Sequence, residues 1–476
     1  MTRTEPNRVL RIGIIGAGPA GIYAADQLTK AEVLTHTDTA VSIDILDRLP
    51  TPFGLIRYGV APDHPRIKGI VSALHRVMGK DEIRFLGNID YGTDITLDRL
   101  REFYDAIIFA TGCIDDAGLD IPGIDLAGSH GAAEFVNWYD GHPDYPREWP
   151  LDAREVAVIG NGNVALDVAR MLAKHADDLL STEIPDHVYA GLKSSAVTDV
   201  HVFGRRGPAQ VKFTPLELRE LGKVPDVDIV LYPEDIEFDD ESMRQIHSNN
   251  QTKQVTKTLT DWTLRDPGTA ERRLHLHFLQ SPVRVLGDSH VRGLRTERME
   301  LDGTAHVRGT GTFTDWPVGA VYRAVGYFGT PVKDVPFDDA AGVIANEAGR
   351  VVSDDGPVAG LYATGWIKRG PVGLIGHTKG DALETVTNLL ADAGGLTAPA
   401  RPHPGDVDEY LAGAGIPFTT WRGWLTLDEH ERALGQAFDM PRERIKVVGR
   451  EEMVAVSRSR SWGRAGDAGE RRPGRG

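Results

Sequence analysis

Two short glycine patterns carry the clearest chemistry in this sequence. Gly16, Gly18 and Gly21 sit where an apolar run, residues 9–15, gives way to a helical pattern at 19–30. Glycines at such a junction let a dinucleotide pyrophosphate reach backbone N–H groups at the positive end of a helix. Asp47 ends the next apolar run, where a carboxylate can accept hydrogen bonds from a ribose. The interval to Asp47 is longer than usual, so an aspartate that merely ends a strand is the competing reading. Gly160, Gly162 and Ala165 form a second turn after the apolar residues 156–159, with an alanine small enough for close helix packing. Arg205 and Arg206 follow residues 200–203, where guanidinium groups pair with an adenosine 2'-phosphate, so NADPH is favoured over NADH. Glu217, on the next predicted helix, either orients an arginine or a cofactor hydroxyl or is a solvated helical carboxylate.

These turns need a strand before them and a helix behind. Residues 9–15, 19–30 and 42–47 read as strand, helix and strand, and 156–159, 164–175 and 200–203 repeat that order. The chain is therefore expected to be α/β with two Rossmann-like dinucleotide-binding domains. Residues 83–86 and 105–110 add strands, the second ending at Ala110, Thr111 and Gly112. The proline- and aromatic-rich residues 143–150 read as a surface connection. Residues 235–270 are polar around one possible helix, 274–279 alternate as a strand, 320–326 and 358–364 read as late strands, and 379–391 as a helix. A small helical cap is expected over 403–455, and a disordered tail from Ser457 onward.

Composition narrows the function classes. At about 150 residues per domain, 476 residues suggest roughly three domain-sized units. Hydrophobic residues at 41% and charged residues at 26% suit compact folding. A net charge of -16 argues against nonspecific binding to nucleic acid or anionic membranes. Cys113 is the chain's one cysteine, which excludes an internal disulfide, a redox dithiol and a cluster held by several of its cysteines. No metal site is expected, and any redox chemistry must use a cofactor. The N-terminal apolar run leads into a glycine turn without a cleavage pattern, and no run approaches the roughly 20 apolar residues of a membrane span. A cytoplasmic protein without integral membrane contact is expected.

Six motifs add specificity: Gly16-Ala17-Gly18-Pro19-Ala20-Gly21, residues 49–65 (LPTPFGLIRYGVAPDHP), 160–170 (GNGNVALDVAR), 204–208 (GRRGP), 216–220 (LELRE) and 365–376 (GWIKRGPVGLIG). In this combination, covering roughly residues 9–391, the sequence resembles the adrenodoxin-reductase-like family of FAD-dependent ferredoxin–NADP reductases. The resemblance implies an NADP domain at 115–325 inserted into a discontinuous FAD domain, 1–114 and 326–400. A C-terminal extension at 401–456 and the tail at 457–476 follow. It implies FAD contacts from Gly16, Gly18, Pro19, Ala20, Gly21, Asp47, Gly54, Leu55, Thr111 and Gly112, with Gly365, Trp366, Gly373, Leu374 and Ile375 closing around the flavin. Trp366 either stacks near the flavin or packs in the core. NADP contacts would come from Gly160, Asn161, Gly162, Asn163, Val164, Arg205, Arg206 and Glu217. His64 and Asp167 are marked as catalytic-site residues that position groups during transfer. A fixed loop histidine and a helix aspartate with local hydrogen bonds are the plainer readings. One departure stands out: His377-Thr378-Lys379 follows the last glycine motif, where family members often carry Thr-Asn-Lys.

The implied reaction is hydride transfer from NADPH to FAD followed by single-electron transfers to an iron–sulfur ferredoxin, with a cytochrome P450 as a candidate acceptor further on. An acidic ferredoxin would need a basic face, for which Arg219, Arg265, Arg272 and Arg273 are candidates. The competing classes are an NADPH-dependent flavin monooxygenase or oxidase and a nucleotide-binding scaffold or redox sensor. A reductase-like amidotransferase subunit lacks its N-terminal cysteine cluster here, and a disulfide reductase lacks a second cysteine. NADPH is expected to support turnover far better than NADH; equal steady-state rates with the two would remove the 2'-phosphate assignment.

Overall fold

The computed structural model describes residues 8–32, 34, 39–64, 69–265, 268–373, 375–438 and 441–459. The chain forms two compact units. One comprises Met1–Arg57, Pro65–Cys113 and Gly329–Gly476, the other Tyr58–His64 and Ile114–Phe328. Residues 1–114 therefore do not stay together: the short stretch Tyr58–His64 makes its contacts with the second unit.

In the first unit, strand Arg8–Ile15 lies between Thr39–Asp47 and Ala106–Phe109, with Ile83–Gly87 and Gly356–Ala363 outside them, all parallel. Leu10, Ile12 and Ile14 point to one face and Arg11 and Ile15 to the other, yet all are buried. Burial on both faces is the condition under which parallel strands occur. The short strands Arg350–Ser353 and Thr419–Thr420 pair antiparallel along the two sides. A buried charge sits inside this sheet. Arg11 Nη2 lies 2.6 Å from Asp44, whose carboxylate also takes Arg84 Nε at 2.7 Å and the Tyr104 hydroxyl at 2.9 Å. Burial raises the Tyr104 pKa further, which keeps it a donor. Arg84 also reaches Asp408 at 3.1 Å, tying helix Pro404–Gly413 to the sheet.

The second unit holds a six-stranded parallel sheet in the order Ser129–Gly131, Ala320–Arg323, Glu155–Ile159, Asp199–Phe203, Arg272–His277 and Val227–Leu231. A three-stranded antiparallel sheet, Gln280–Leu286, Gly293–Leu301 and Val307–Trp316, packs Val285, Val291 and Leu294 with Ala157, Ile159 and Phe203 of the larger one. Nothing in the sequence pattern announces its outer strand, which is exposed along most of its length and carries no apolar alternation. Residues 240–263 form two helices rather than one because Asp239 and Asn249 each cap a start: Asp239 accepts from Ser242 N, Asn249 from Gln251 and Thr252 N. The late strand expected over 320–326 ends at Arg323, and Gly326 takes a φ of 130°. In the C-terminal region three helices form, Pro404–Gly413, Trp421–Gln436 and Arg450–Arg458. The last runs through Ser457 and Arg458, which the sequence reading gave to the tail; residues 460–476 lie outside the described residues. No helix among the described residues is long and apolar enough to cross a membrane.

Three histidines are stacked within the second unit. His201 pairs in register with His275 at a ring separation of 4.3 Å, and His201 Nδ1 lies 3.0 Å from His277 Nε2. Burial, reinforced by neighbouring imidazoles, pushes His201 down to about 4 and His277 to about 2, and lowers His275 despite its contact with Asp199. Free imidazoles take up protons near pH 6.5, so below that value the unfolded chain binds more protons than the folded one. The stability involved is fully present above pH 6.5 and is lost as the pH falls toward 4. Each such histidine contributes roughly 1.4 kcal/mol per pH unit across that window. The slope of unfolding free energy against pH between 6.5 and 4.5 should be shallower in His201→Gln than in the unmodified protein, measured by urea titration at each pH; an unchanged slope would refute the assignment.

Candidate functional site

The first glycine turn is built by the sheet. Gly16 follows strand Arg8–Ile15 with φ 114°, and a Cβ there would lie 2.4 Å from Ala110 O, past the end of the neighbouring strand. Gly21 cannot carry a Cβ either, which would lie 2.1 Å from Gly16 O. Gly18 differs: a Cβ would meet nothing within 4 Å, so its backbone faces open space at the start of helix Pro19–Lys30. A turn glycine, an open glycine and a packing glycine are what a pyrophosphate needs at a helix N-terminus. Pro19 is the first helical residue, and Ala20 lies under Gly365, where a Cβ would come within 2.6 Å of the Ala20 methyl.

Asp47 anchors this turn. Its carboxylate accepts from Ala17 N at 2.7 Å and Leu49 N at 2.8 Å, while burial raises its pKa. Lone pairs remain on both oxygens for a ribose. Phe53 N donates to Ala17 O at 2.8 Å, which lays residues 49–55 over the turn, and Gly54, at φ 50°, stands where a Cβ would be 3.1 Å from Gly18 Cα. Leu55 opens the short helix Leu55–Tyr58. Thr111 is exposed and Gly112, at φ 74°, faces open space. A cleft of about 420 Å³ opens beside the Asp47 strand end, lined by Arg48, Asn88, Asp90, Ile416, Pro417 and Arg450 among others. Gly365, at φ 78°, starts helix Trp366–Arg369, and its N–H donates to Asp381, which also pairs with Lys368 at 3.0 Å. Trp366 is half-buried. Gly373, at φ 88°, is lined by the imidazole of His377, 3.2 Å from where a Cβ would sit. Leu374 lies outside the described residues, and Ile375 begins a single turn that leads into helix Thr378–Asp392.

The second turn repeats the first. Gly160, at φ 145°, would place a Cβ 2.2 Å from Ala324 O, and at Gly162 a Cβ meets nothing within 4 Å. Ala165 is fully buried. Asn161 O accepts from Lys212 N and Phe213 N, and Asn163 Oδ1 accepts from Thr214 N at 2.9 Å, so both asparagines tie the turn to the segment after Arg206. Val164 packs on the core at the start of helix Asn163–Ala173. Arg205 is exposed and Arg206 half-buried, and neither guanidinium bonds to another described residue. Two cations without partners, just past a strand end beside an open glycine turn, fit a doubly charged phosphate.

The sequence-marked His64 and Asp167 meet in the second unit. His64, 3% exposed, has Nε2 2.8 Å from Asp167 Oδ1 and Nδ1 2.6 Å from Glu220 Oε2. Glu217 is buried rather than solvated, and its Oε2 lies 3.0 Å from His64 Nε2 but off the line of a hydrogen bond, so it acts there through charge. Burial alone would lower the imidazole; the Asp167 bond and the Glu217 charge outweigh it and raise His64 to about 10. The charged ring donates its Nε2–H to Asp167, and Glu220 faces Nδ1 as an ion-pair partner. Arg170 Nη2, 2.7 Å from Nε2, finds its acceptors in Asp167 at 2.8 Å and in a fork onto Asp63 with both contacts at 2.9 Å. Burial would raise Asp63, but Arg170 and Lys174 hold it well below the usual carboxylate range. His64, Glu217 and Glu220 bring three ligand atoms within 4.8 Å of one another, a set that could hold a cation. Arg170 already supplies the positive charge at that point.

Asp63, Arg170 and Glu220 were missed from sequence. Their signal was present in the spacing: Asp167 with Arg170 and Glu217 with Glu220 stand three apart, on one face of their helices. No pattern marks Phe53, a non-glycine residue held at φ 83°.

Two dinucleotide turns in one chain, the second with free guanidinium groups, define an oxidoreductase that uses two nucleotide cofactors. The pyridine nucleotide-disulphide oxidoreductase family matches residues 10–202. The chain is 38% identical over 461 residues to NADPH-ferredoxin reductase FprA of Mycobacterium leprae, covering 95% of this chain and 99% of that one. It is 36% identical over 464 residues to the mitochondrial NADPH:adrenodoxin oxidoreductase of Homo sapiens, covering 94% and 91%. The structure of Mycobacterium tuberculosis FprA in complex with NADPH superposes with a TM-score of 0.87 at 38% identity, over 94% of this chain and all of that one. The chain belongs to the adrenodoxin-reductase-like family of FAD- and NAD(P)-dependent oxidoreductases.

Each charge-assisted hydrogen bond to a phosphate contributes about 1.5–3 kcal/mol. Replacing both Arg205 and Arg206 with alanine should therefore lower kcat/KM for NADPH by about 100-fold or more while NADH kinetics and bound flavin stay as they were. By 15N-histidine NMR, one imidazole should stay doubly protonated at pH 8, and Asp167→Asn should lower its pKa by about one unit or more. An imidazole that is neutral at pH 8 in the unmodified protein would contradict the arrangement around His64.

Proposed function

We propose that this chain is an FAD-dependent ferredoxin–NADP reductase that moves electrons between NADPH and an iron–sulfur ferredoxin. The observation that carries this reading is the pair of glycine turns, each with an unobstructed middle glycine, of which one is followed by arginines whose side chains have no partner among the described residues. We assign FAD to the first unit and NADPH to the second. When bound, FAD supplies a hydride acceptor that can release its electrons singly, the conversion needed between a nicotinamide and a one-electron acceptor.

The chain's own residues bind and orient. In this reading Gly16, Gly18 and Gly21 admit the FAD pyrophosphate, Pro19 and Ala20 start the helix that faces it, and Asp47 receives the ribose. Gly54, Leu55, Thr111 and Gly112 line the same crevice, and Gly365, Trp366, Gly373 and Ile375 border the flavin ring. On the other nucleotide, Gly160, Asn161, Gly162, Asn163 and Val164 hold the pyrophosphate and Arg205 and Arg206 the 2'-phosphate. His64, kept charged by Asp167 and Glu217, presents a fixed positive group rather than a titrating one at neutral pH.

A disulphide exchange reaction is beyond this chain alone: Cys113 is its one cysteine, is buried, and burial pushes its thiol up to about 11. We place the protein in the cytoplasm, with a cytochrome P450 among the acceptors beyond the ferredoxin. Anaerobic stopped-flow tests the central claim. NADPH should bleach the bound flavin, and oxidised ferredoxin should then restore its absorbance faster than dissolved oxygen does. Faster return with oxygen than with ferredoxin would favour an oxidase, and a flavin left oxidised by NADPH would favour a nucleotide sensor.

A further inference from the structure

The C-terminal extension reaches back to the segment that covers the first glycine turn. Helix Trp421–Gln436 carries Glu431, which is fully buried. Arg57 lays its fork on that carboxylate at 2.5 and 3.0 Å, and Arg444 Nη1 and Val447 N add contacts at 3.1 and 2.9 Å. The Arg57 guanidinium also lies 5.2 Å above the Trp424 ring. Lys446 Nζ donates to Arg57 O at 2.8 Å, and Thr419 donates to Pro50 O at 2.8 Å. Phe53 is enclosed by His75, Trp421 and Trp424, with ring centroids 5.6, 6.4 and 5.7 Å away.

These attachments grip a segment whose backbone takes an unfavourable conformation. Phe53 is held at φ 83°, a region that side chains disfavour and that persists where the surroundings enforce it. The same residue donates to Ala17 O, and Gly54 presses to within contact of Gly18. The spacing above the open glycine is therefore set by how firmly residues 50–57 are held from the other side. A buried ion pair is a poor way to add stability, since apolar side chains of similar volume commonly do as well or better. Its distinctive property is direction: a guanidinium fork accepts one placement on a carboxylate, where aliphatic packing tolerates several.

We infer that Glu431 and Arg57 are positioning residues for FAD, through which the C-terminal extension fixes the covering segment over the first glycine turn and so sets how tightly the cofactor is held. The inference rests on the assignment of FAD to that turn. The full-length protein is stripped of flavin and titrated with FAD by fluorescence quenching, for the unmodified chain, Glu431→Gln and Arg57→Lys. NADP+ binding and thermal unfolding of each apoprotein are measured alongside. Both variants should weaken FAD by about tenfold or more with NADP+ affinity within twofold, and Arg57→Lys, which keeps the charge but loses the fork, should do so with little change in apoprotein Tm. If Glu431→Gln does not accumulate as folded protein, Arg57→Lys decides. FAD affinity within twofold of the unmodified protein, or a loss matched by unfolding of the apoprotein at the assay temperature, overturns the inference. Failure of the unmodified chain to bind FAD overturns the cofactor assignment instead.

Discussion

Both units depend on one close approach. At the point where strand order reverses, the first glycine of each turn lies against a carbonyl beyond the end of the neighbouring strand, Gly16 on Ala110 and Gly160 on Ala324, at distances that leave no room for a Cβ. The positive φ at each glycine turns the chain from the sheet into a helix whose N–H groups face outward from the strand ends. With a side chain there, the two central strands would separate, the helix would start in another direction, and the middle glycine would no longer be open. The remaining residues of each site refine a crevice that this contact has already created.

Electrostatics then distinguishes positions that the fold makes geometrically similar. His64 and His277 are both buried, and burial lowers both imidazoles. Around His64 the carboxylates of Asp167 and Glu217 reverse that effect, whereas His277 has His201 and His275 as its neighbours and is lowered further. One histidine is thereby a permanent cation and the other a permanent neutral ring near pH 7. The same principle governs Arg11 and Arg57: each is buried where a carboxylate matches its charge, Asp44 through a single contact with Arg11 and Glu431 through a fork with Arg57.

The parts legible in the sequence are those in which the backbone itself is the functional group. The glycine turns declare their conformation through the residue type, and the flanking strands through unbroken apolar runs, so both crevices and the parallel sheets could be read directly. The place of the arginine pair just past a strand end was legible for the same reason, since the apolar run before it marks the strand. What could not be read are contacts between residues far apart in the chain, such as Asp63 with Arg170 or Arg57 with Glu431, since charged residues in a helix are ordinarily solvated. The outer strand Val307–Trp316 was illegible for a related reason, for it is specified by backbone pairing with Gly293–Leu301 rather than by any buried face of its own.

The first unit's discontinuity bears on biosynthesis. Strand Ala106–Phe109 pairs on one side with Arg8–Ile15, made early, and on the other with Gly356–Ala363, which follows the whole of the second unit in the chain. On the ribosome, the early strands therefore have a bare parallel edge while the intervening residues emerge and fold. The helix that packs over the first glycine turn's own helix, Thr378–Asp392, arrives later still. Nascent chains thus have a long interval in which half a sheet is formed and its apolar faces are uncovered, an interval inherent in inserting one unit into the sequence of another.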